Sequence, residues 1–344
     1  MKVYVGMDLH STNCYTGILD EEENRVYGHK LANDKGAILS ALSPYKKEVA
    51  GIVVESTYNW YWLVDARMEE GYKVHLANPA AMKQYEGVKY LNDRHDAFWL
   101  AKMLKLGILP EGYIYPRSMR GVRDLLRQRS GFVAEQTALK NKLHHTYYNY
   151  TGIRMKSDAI LQMDEASQAN TDDLDLSYHV KSLVETILFL EGKIHEIERR
   201  VLSRMKEEES YPLLRTAVGV PTTPGIGLIL AMTISLETGP IERFPSASDY
   251  ASYCRCVPSA YWSNGKKKGS GNKKNGNKYL SWAFAEAATF CIRYCPEAKA
   301  FYQRKCAKTN QPLAYRALAN KLSKACYFIM KEKRGFDRER LFHG

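Results

Sequence analysis

The segment Met1-Lys-Val-Tyr-Val-Gly-Met-Asp8 opens this chain and determines how its N-terminal part is interpreted. It has no apolar core of the length found in a signal peptide, so we interpret it as the first strand of a sheet, Val3–Leu9. The segments Asn13–Asp20 and Arg25–Leu31 predict two more strands, and a short turn joins the first strand to the second. The chain would therefore begin with a meander of three strands.

Helices and strands alternate over the next part of the chain. The sequence predicts a helix over Gly36–Lys47 and a buried strand over Gly51–Glu55. A second helix is predicted over Tyr58–Glu70 and a further strand over Tyr72–Ala77. Three leading strands followed by helix, strand, helix and strand is the element order of a ribonuclease-H-like fold. We therefore predict an α/β domain of this class over residues 1–116.

The rest of the chain is predicted to be helical, which gives a fold class of α/β plus all-α. A long helical pattern over residues 117–150 is followed by a second one, in which apolar residues recur at alternating steps of three and four. This spacing predicts a coiled-coil segment over residues 117–210, whose helices pair within one chain or whose seam joins two protomers. A small helical domain is predicted over residues 211–335. The seam residues are Val180, Leu183, Ile187, Leu190, Ile194, Ile197 and Val201.

Composition narrows the class of protein. The chain has 344 residues, of which 45% are hydrophobic, enough to bury a proper core. Its formal net charge of +12 favours a polyanionic partner, with nucleic acid preferred over a membrane surface.

The longest apolar run, residues 225–234, is too short to span a bilayer, so we expect a soluble cytoplasmic protein. The seven cysteines form no zinc-type Cys-x-x-Cys pairs, so reduced thiols are expected.

Four carboxylates in the N-terminal part are candidates for a metal site. Asp8 and Glu55 end strands that are neighbours in a ribonuclease-H-like sheet. Asp93 and Asp96 lie three residues apart at the start of the predicted helix 93–106, so they share one face. Converging carboxylates need counter-charge, which two Mg²⁺ ions about 4 Å apart would supply, with Mn²⁺ as an alternative. In a competing interpretation, Asp93 is only a helix N-cap and Asp96 only an N3 residue favoured by the helix dipole.

A second chemical feature lies far downstream, in a lysine- and glycine-rich loop predicted after Ser263. Between Tyr250 and Ala285 there are seven Lys or Arg residues and no Asp or Glu. Such a loop suits a polyanion, and on DNA it would bring the Ser263 hydroxyl near a scissile phosphate, so loop and carboxylates together predict phosphodiester chemistry. The alternative is a nonspecific clamp on the nucleic-acid backbone with no catalytic hydroxyl. The candidate contact residues are Lys266, Lys267, Lys268, Lys273, Lys274 and Lys278.

Several short motifs, which follow one order along nearly the whole chain, carry a family resemblance. Each motif is weak by itself, but the order is specific. The sequence resembles the transposases of the insertion sequence 110 and 1111 families, which are related to Piv-type DNA invertases. The matching stretches are Gly6-Met-Asp8, Val53-Val-Glu55-Ser, Asn92-Asp-Arg-His-Asp96-Ala, Leu125-Leu-Arg-Gln-Arg129, Pro224-Gly-Ile-Gly227, Val257-Pro-Ser, Ser263-Asn-Gly-Lys266 and Gly276-Asn277.

The resemblance implies a RuvC-like domain with an Asp-Glu-Asp-Asp set, a coiled-coil segment and a C-terminal transposase domain with a nucleophilic serine. It also implies a structured noncoding RNA, the bridge RNA, that pairs with donor and target DNA. It further implies a homo-oligomer, dimer to tetramer, whose active sites are shared between protomers. At the matching positions of this chain the implied catalytic residues are Asp8, Glu55, Asp93, Asp96 and Ser263.

Two stretches depart from the family pattern. Leu91-Asn-Asp93 stands where Lys-Thr-Asp is common, which leaves the acid intact. Trp262-Ser-Asn-Gly265 stands where Ser-Gly-Gly or Ser-Ser-Gly is frequent. Ser263 is therefore the single serine in the motif, and Ser259 and Ser270 are poorer substitutes.

These features predict an RNA-guided DNA recombinase of a mobile element. The oxygen of Ser263 would attack a phosphodiester, giving a phosphoserine link and a free 3′ hydroxyl, and strand exchange would reverse the step. One alternative is a RuvC-like nuclease or Holliday-junction resolvase in which water attacks. Another is a noncatalytic nucleic-acid-binding protein.

Overall fold

The computed structural model of the chain describes residues 1–82, 92–162, 173–216, 226–258, 261–269 and 275–342. The chain divides into two compact units, each built from two stretches of sequence. The first unit combines Met1–Arg117 with Ser259–Asn275, and the second combines Ser118–Pro258 with Gly276–Gly344. The three-part division at residues 116 and 210 stays a prediction.

A six-stranded mixed sheet forms the centre of the first unit, with strand order β3-β2-β1-β4-β5-β6. The β1–β2 and β2–β3 pairs are antiparallel, and β4 lies parallel to both β1 and β5. This mixed α/β sheet agrees with the predicted ribonuclease-H-like order, to which the structure adds β6. The strands are β1 Val3–Leu9, β2 Asn13–Asp20, β3 Arg25–Ala32, β4 Val49–Glu55, β5 Val74–Ala77 and β6 Glu111–Gly112.

Helices cover both faces of this sheet: α1 (Lys35–Leu42) and α2 (Tyr61–Glu69) on one face, and α3 (Asp93–Lys105) on the other. Alternation along β1 points Val3, Val5, Met7 and Leu9 towards α1 and α2. The alternate residues, which include Asp8, therefore point towards α3. Helix α1 ends earlier than predicted because a 3₁₀ turn that contains Pro44 follows it.

A row of glycines lets α3 approach the sheet closely. Gly6, Gly17 and Gly28 are paired across β1, β2 and β3. A Cβ atom at Gly6 would overlap the backbone oxygen of Ala97, and it would lie 2.8 Å from the nitrogen of Ala101. At Gly17 and Gly28 it would lie 3.0 and 2.8 Å from the ring of Phe98. The glycines therefore form a groove in the sheet surface that α3 fills.

Two long helices open the second unit, α4 (Arg117–Thr151) and, after the short α5 (Ser157–Leu161), α6 (Leu174–Met205). The amide of Gln136 donates to the carbonyl oxygen of Ile187 (3.2 Å), and Arg129 pairs with Glu198 (2.8 Å). These contacts put the two helices antiparallel within one chain, which is one of the two pairings left open by the sequence. Supercoiling of the pair stays a prediction. The predicted seam residues Val180, Leu183, Ile187, Leu190, Ile194, Ile197 and Val201 are all buried.

Shorter helices surround a common apolar core in the rest of this unit. One short helix of this unit ends at Tyr253, and the Ser246 hydroxyl caps its start by accepting from the amide of Asp249. The helices are α7 Ser210–Thr216, α8 Leu228–Thr238, α9 Ala247–Tyr253, α10 Lys278–Tyr294, α11 Pro296–Lys308, α12 Gln311–Glu332 and α13 Arg338–Phe342.

All seven cysteines are free thiols, as predicted. Within the described ranges, no helix has both the length and the apolar character that crossing a bilayer requires.

Candidate active site

Asp8 is a buried carboxylate at the end of β1, on the sheet face that α3 covers. The parallel pairing of β1 with β4 sets Met7 beside Val54, so the next residues along the two strands, Asp8 and Glu55, are neighbours. Their side chains share a hydrogen bond. Two carboxyl groups can bond in this way only when one of them holds a proton.

Burial and neighbouring carboxylates set the pKa values of this pair. Burial, then the charge of Asp8, its hydrogen bond and the charge of Asp96 raise the pKa of Glu55 from 4.5 to about 7. Burial also raises the pKa of Asp8, although His10 and the Glu55 hydrogen bond oppose the shift. A cation bound here would remove the cost of ionising both groups.

Asp93 and Asp96 are brought over the sheet by the first turn of α3. The N-cap of this helix is Asn92, whose side chain accepts from the amide of His95 at 2.9 Å. The interpretation of Asp93 as N-cap and Asp96 as N3 residue is therefore wrong, since both lie one position further into the helix. Neither carboxylate is needed for capping, and both are available to the site.

His10 joins the carboxylates and was missed in the sequence. Its Nε2 atom lies 3.2 Å from Oδ2 of Asp8 and 3.4 Å from Oδ1 of Asp93. One potential ligand atom from each of these three residues falls within a 4.8 Å cluster. Lys30 lies 3.8 Å from the other oxygen of Asp93. The sequence signal for His10 is its i, i+2 spacing from Asp8, which points both side chains to the same face of an extended chain.

All four predicted acids belong to this one electrostatic cluster, because Asp93 and Asp96 both act on the pKa of Asp8. The donor set suits a hard divalent cation, which prefers carboxylate oxygens. One oxygen of Asp96 is buried and makes no hydrogen bond, although His95 Nδ1 lies 3.5 Å away. Carboxylates with raised pKa values and an unused oxygen fit a metal site.

Ser263 lies in a β-hairpin, not in the predicted loop. Strand β7 (Tyr261–Ser263) pairs antiparallel with β8 (Lys266–Gly269). The two turn residues, Asn264 and Gly265, have φ values of 51° and 70°. Asn-Gly is the dipeptide that favours such a two-residue turn, so this sequence signal was available. Ser263 is exposed as the last residue of its strand.

The six candidate lysines do not share one loop. Lys266, Lys267 and Lys268 belong to β8, where the side chains of Lys266 and Lys268 are exposed. Lys278 is the first residue of α10, with its nitrogen 5.1 Å from the ring centre of Tyr279. Lys273, Lys274, Ser259 and Ser270 lie outside the described residues.

Comparisons with known proteins identify transposase domains in this chain. A family model described as a DEDD transposase of IS110 type matches residues 5–150, which contain all four acids. A second, described as transposase of the IS116/IS110/IS902 family, matches residues 220–303, which contain Ser263. The first model names a DEDD set, and these are the residue types of Asp8, Glu55, Asp93 and Asp96 in chain order.

Two relatives carry related names. A Pseudomonas aeruginosa protein named "Probable family 20 transposase" is 24% identical over 243 residues, covering 68% of this chain and 69% of that protein. The "Transposase for insertion sequence element IS1328" of Yersinia enterocolitica is 26% identical over 181 residues, covering 51% of this chain and 52% of that protein.

The mixed α/β sheet with an acidic cluster on one face agrees with a DEDD transposase domain. The chain contains two domains of the IS110-type transposase family, over residues 5–150 and 220–303. Its class of activity is accordingly the cleavage and rejoining of DNA in transposition.

Proposed function

We propose that this transposase is an RNA-guided DNA recombinase, in which Ser263 is the nucleophile and Asp8, Glu55, Asp93 and Asp96 hold Mg²⁺. The observation that carries the proposal is the hydrogen-bonded pair formed by the buried carboxyl group of Asp8 and the half-buried carboxyl group of Glu55, beside Asp93 and Asp96. The metal would supply Lewis-acid polarisation of the scissile phosphate and charge for the oxygens of the transition state.

Ser263 would perform the covalent step. Its Oγ atom loses a proton to a base and forms a bond to phosphorus, while the bond from phosphorus to the 3′ oxygen breaks. The 3′ oxygen takes up a proton and leaves as a free hydroxyl, and the protein keeps a 5′ phosphoserine link. Attack of a second 3′ hydroxyl on that link restores the serine, so the number of phosphodiester bonds is conserved.

His10 and the lysines of β8 would have supporting roles. His10 lies between Asp8 and Asp93 and would orient both carboxylates by hydrogen bonding. Lys266 pairs with Ser263 across the turn and Lys268 lies two residues further along β8, so their charges suit phosphates near a cleavage point. Guidance by a bridge RNA and assembly to a dimer or tetramer are supported by the family resemblance and, for RNA, by the net charge of +12. Lys273 and Lys274 complete the proposed contact set.

The proposal is tested by trapping the covalent intermediate. Wild-type protein, its co-purified RNA and DNA that flanks its coding sequence are mixed with and without Mg²⁺, and the products are separated under denaturing conditions. We expect a Mg²⁺-dependent protein–DNA adduct at a 5′ phosphate, which Ser263→Ala lacks. Ser263→Ala that recombines at the wild-type rate would refute the serine role.

The same assay separates the alternative functions. Mg²⁺-dependent cleavage without an adduct, unchanged in Ser263→Ala, would identify a nuclease that uses water. Nucleic-acid binding without cleavage under any condition would identify a noncatalytic protein. Sequencing of the co-purified RNA tests guidance separately, because a guide must contain stretches complementary to donor and target DNA. A mixture of unrelated cellular RNAs would contradict RNA guidance and leave the serine chemistry untouched.

A further inference from the structure

Asn277 has a buried side-chain amide, and both its oxygen and its nitrogen make hydrogen bonds. Its side-chain oxygen accepts from the backbone amides of Tyr279 (2.8 Å) and Leu280 (3.2 Å), which caps α10. Its side-chain nitrogen donates to Oε2 of Glu237 at 2.7 Å. Asp or Ser caps a helix as well as Asn does, so capping alone does not require an amide here. An amide can cap the helix and donate to a carboxylate at the same time, whereas an ionised Asp offers no donor and a Ser hydroxyl is held on a shorter side chain.

Glu237 is set in place by two arginines of α4. Its carboxylate is 2% exposed and lies in the last turn of α8, where the helix dipole disfavours negative charge. Arg127 donates to it at 2.6 and 2.8 Å, and Arg123 at 2.9 and 3.0 Å. Burial would raise the pKa of Glu237, but the bonds to Arg127, the charge of Arg123 and the bond from Asn277 hold it below its ordinary value. Asn277 therefore meets a fixed, ionised acceptor.

The backbone next to Asn277 is tied to the other end of the same segment. Arg255 donates from Nε (3.1 Å) and Nη2 (2.8 Å) to the carbonyl oxygen of Gly276, and the amide of Asn277 donates to the carbonyl oxygen of Tyr253 (2.6 Å). Gly276 has a φ of 90°, and a Cβ atom there would lie 2.5 Å from the same oxygen of Tyr253. The two chain ends that enter and leave the segment 256–275 are therefore joined at its base, within the second unit.

The segment closed by these contacts carries the hairpin of Ser263. We propose that Asn277, Glu237, Arg255 and Gly276 form a clamp that fixes the two chain ends between which this hairpin lies, and that Asn277 and Glu237 are positioning residues for Ser263. This proposal rests on the proposed role of Ser263 as nucleophile. Loosening of the clamp would free both chain ends that lead to Ser263 and let the nucleophile leave its reactive position. Misplacement by about 1 Å can slow an oriented reaction by roughly 10²-fold.

The test uses two substitutions of Asn277 and one matched control in the full-length protein. Asn277→Ser keeps the cap but removes the side-chain nitrogen that reaches Glu237, and Asn277→Asp keeps the cap and puts a carboxylate against Glu237. The control is Asn310→Asp, because Asn310 caps α12 through the amide of Leu313 (3.0 Å) and is exposed. Each variant is measured for hydrogen exchange of amides 261–269, melting temperature, DNA affinity and the rate of adduct formation.

In Asn277→Asp, we expect the amide hydrogens of the hairpin to exchange with solvent about tenfold faster than in the wild type. Its adduct should form roughly 10 to 100-fold more slowly, with DNA affinity retained. Asn277→Ser should show the same changes to a smaller degree, and Asn310→Asp should show none. If hydrogen exchange of the hairpin amides and the rate of adduct formation are both unchanged in Asn277→Asp, the clamp proposal is wrong. Faster exchange throughout the protein with a matching fall in melting temperature, in both Asn277 variants, would reduce the role of Asn277 to general stability.

Failure of the nucleophile assignment is distinguishable from failure of the clamp. If Ser263→Ala recombines normally while Asn277→Asp still loosens amides 261–269, the clamp holds a hairpin whose function is different. If the adduct depends on Ser263 and forms at the wild-type rate in both Asn277 variants, the serine chemistry stands and the positioning role is wrong.

Discussion

Gly6 on β1 and Ala97 on α3 approach each other so closely that a Cβ atom at Gly6 would overlap the backbone oxygen of Ala97. This contact lies two residues before Asp8 on the strand and one residue after Asp96 on the helix. The absence of one methyl group therefore sets the distance between the strand that carries one acid and the helix that carries two. The same contact seats α3 in the glycine groove.

The first prediction is that Gly6→Ala damages both the packing and the site. The neighbour of the new methyl group is backbone, which cannot turn aside, so α3 must move away from the sheet. We expect the free energy of unfolding to fall by about 1–3 kcal/mol or more, as for an overpacked core, and Mg²⁺ to lose its stabilising effect. Urea unfolding with and without Mg²⁺ measures both effects. Gly17→Ala is the matched control, since its new methyl group meets the ring of Phe98, which can shift. Equal effects of the two substitutions would contradict this account.

The second prediction concerns the stability of the metal-free protein as a function of pH. The pKa of Glu55 is about 7 in the folded state and 4.5 ordinarily, so the folded state binds the proton more tightly. Stability is then greatest at low pH and falls as the pH rises from about 4.5 to about 7. The raised pKa of Asp8 acts in the same direction. We expect a loss of roughly 1–3 kcal/mol across this window, since Glu55 is only partly buried.

The measurement is the free energy of unfolding of wild type minus that of Glu55→Gln, from pH 5 to pH 8 in a chelating buffer. Because Gln does not titrate, the difference isolates Glu55 from the other carboxylates. Saturating Mg²⁺ should flatten the curve of the wild type, since the ion favours both charged forms. A difference that does not vary with pH would mean that the Asp8–Glu55 pair carries no shared proton.

The third prediction is that Asp8→Asn abolishes metal binding and cleavage and leaves the affinity for nucleic acid nearly unchanged. Metal that binds only the folded state raises its stability, so the melting temperature of the wild type should rise with Mg²⁺ concentration. Asp8→Asn should lose this rise. Asp158→Asn is the control, because the Asp158 carboxylate is 72% exposed and pairs with Lys140 on the second unit. An equal Mg²⁺ response in Asp8→Asn and wild type would remove Asp8 from the metal site.

Local patterns in the sequence were enough to predict β1 to β5 and the long helices within a few residues. The two acids at strand ends were also predictable, because parallel neighbours bring their carboxyl ends to one edge. The sequence pattern does not specify how neighbouring strands are aligned or which distant residues come into contact. The bond between Asp8 and Glu55 depends on the alignment of Met7 with Val54, and the role of His10 depends on Asp93.

The hairpin of Ser263 was missed for a different reason. Its composition, rich in lysine and glycine, is typical of a loop, and composition outweighed the short-range Asn264-Gly265 turn signal. The clamp residues were not predictable, because Glu237 and Asn277 are 40 positions apart and meet α4 only in the folded unit.

The fourth prediction addresses binding of DNA or RNA by the hairpin. Lys268→Ala and Lys266→Ala should each weaken binding and reduce the slope of log affinity against log salt by about one. Lys193→Ala is a control on α6, where Lys193 pairs with Glu196 at 2.9 Å. Filter binding or anisotropy at several salt concentrations gives the slope. If Lys193→Ala alters the slope as much as the hairpin variants do, binding is a diffuse property of the basic chain.

The last prediction concerns the sharing of active sites between protomers. Residues 259–275 belong to the first compact unit, but the chain on both sides of them belongs to the second. Such a segment is held in the first unit only by noncovalent contacts, so an oligomer can exchange it between protomers, as in domain swapping. We therefore expect a mixture of Asp8→Asn protein with Ser263→Ala protein to recover part of the strand transfer that each lacks alone. The recovered activity should depend on the ratio of the two proteins and be greatest near equal amounts. Mixtures that stay inactive, although the variants co-assemble by size-exclusion chromatography, would show that each protomer pairs Ser263 with its own Asp8.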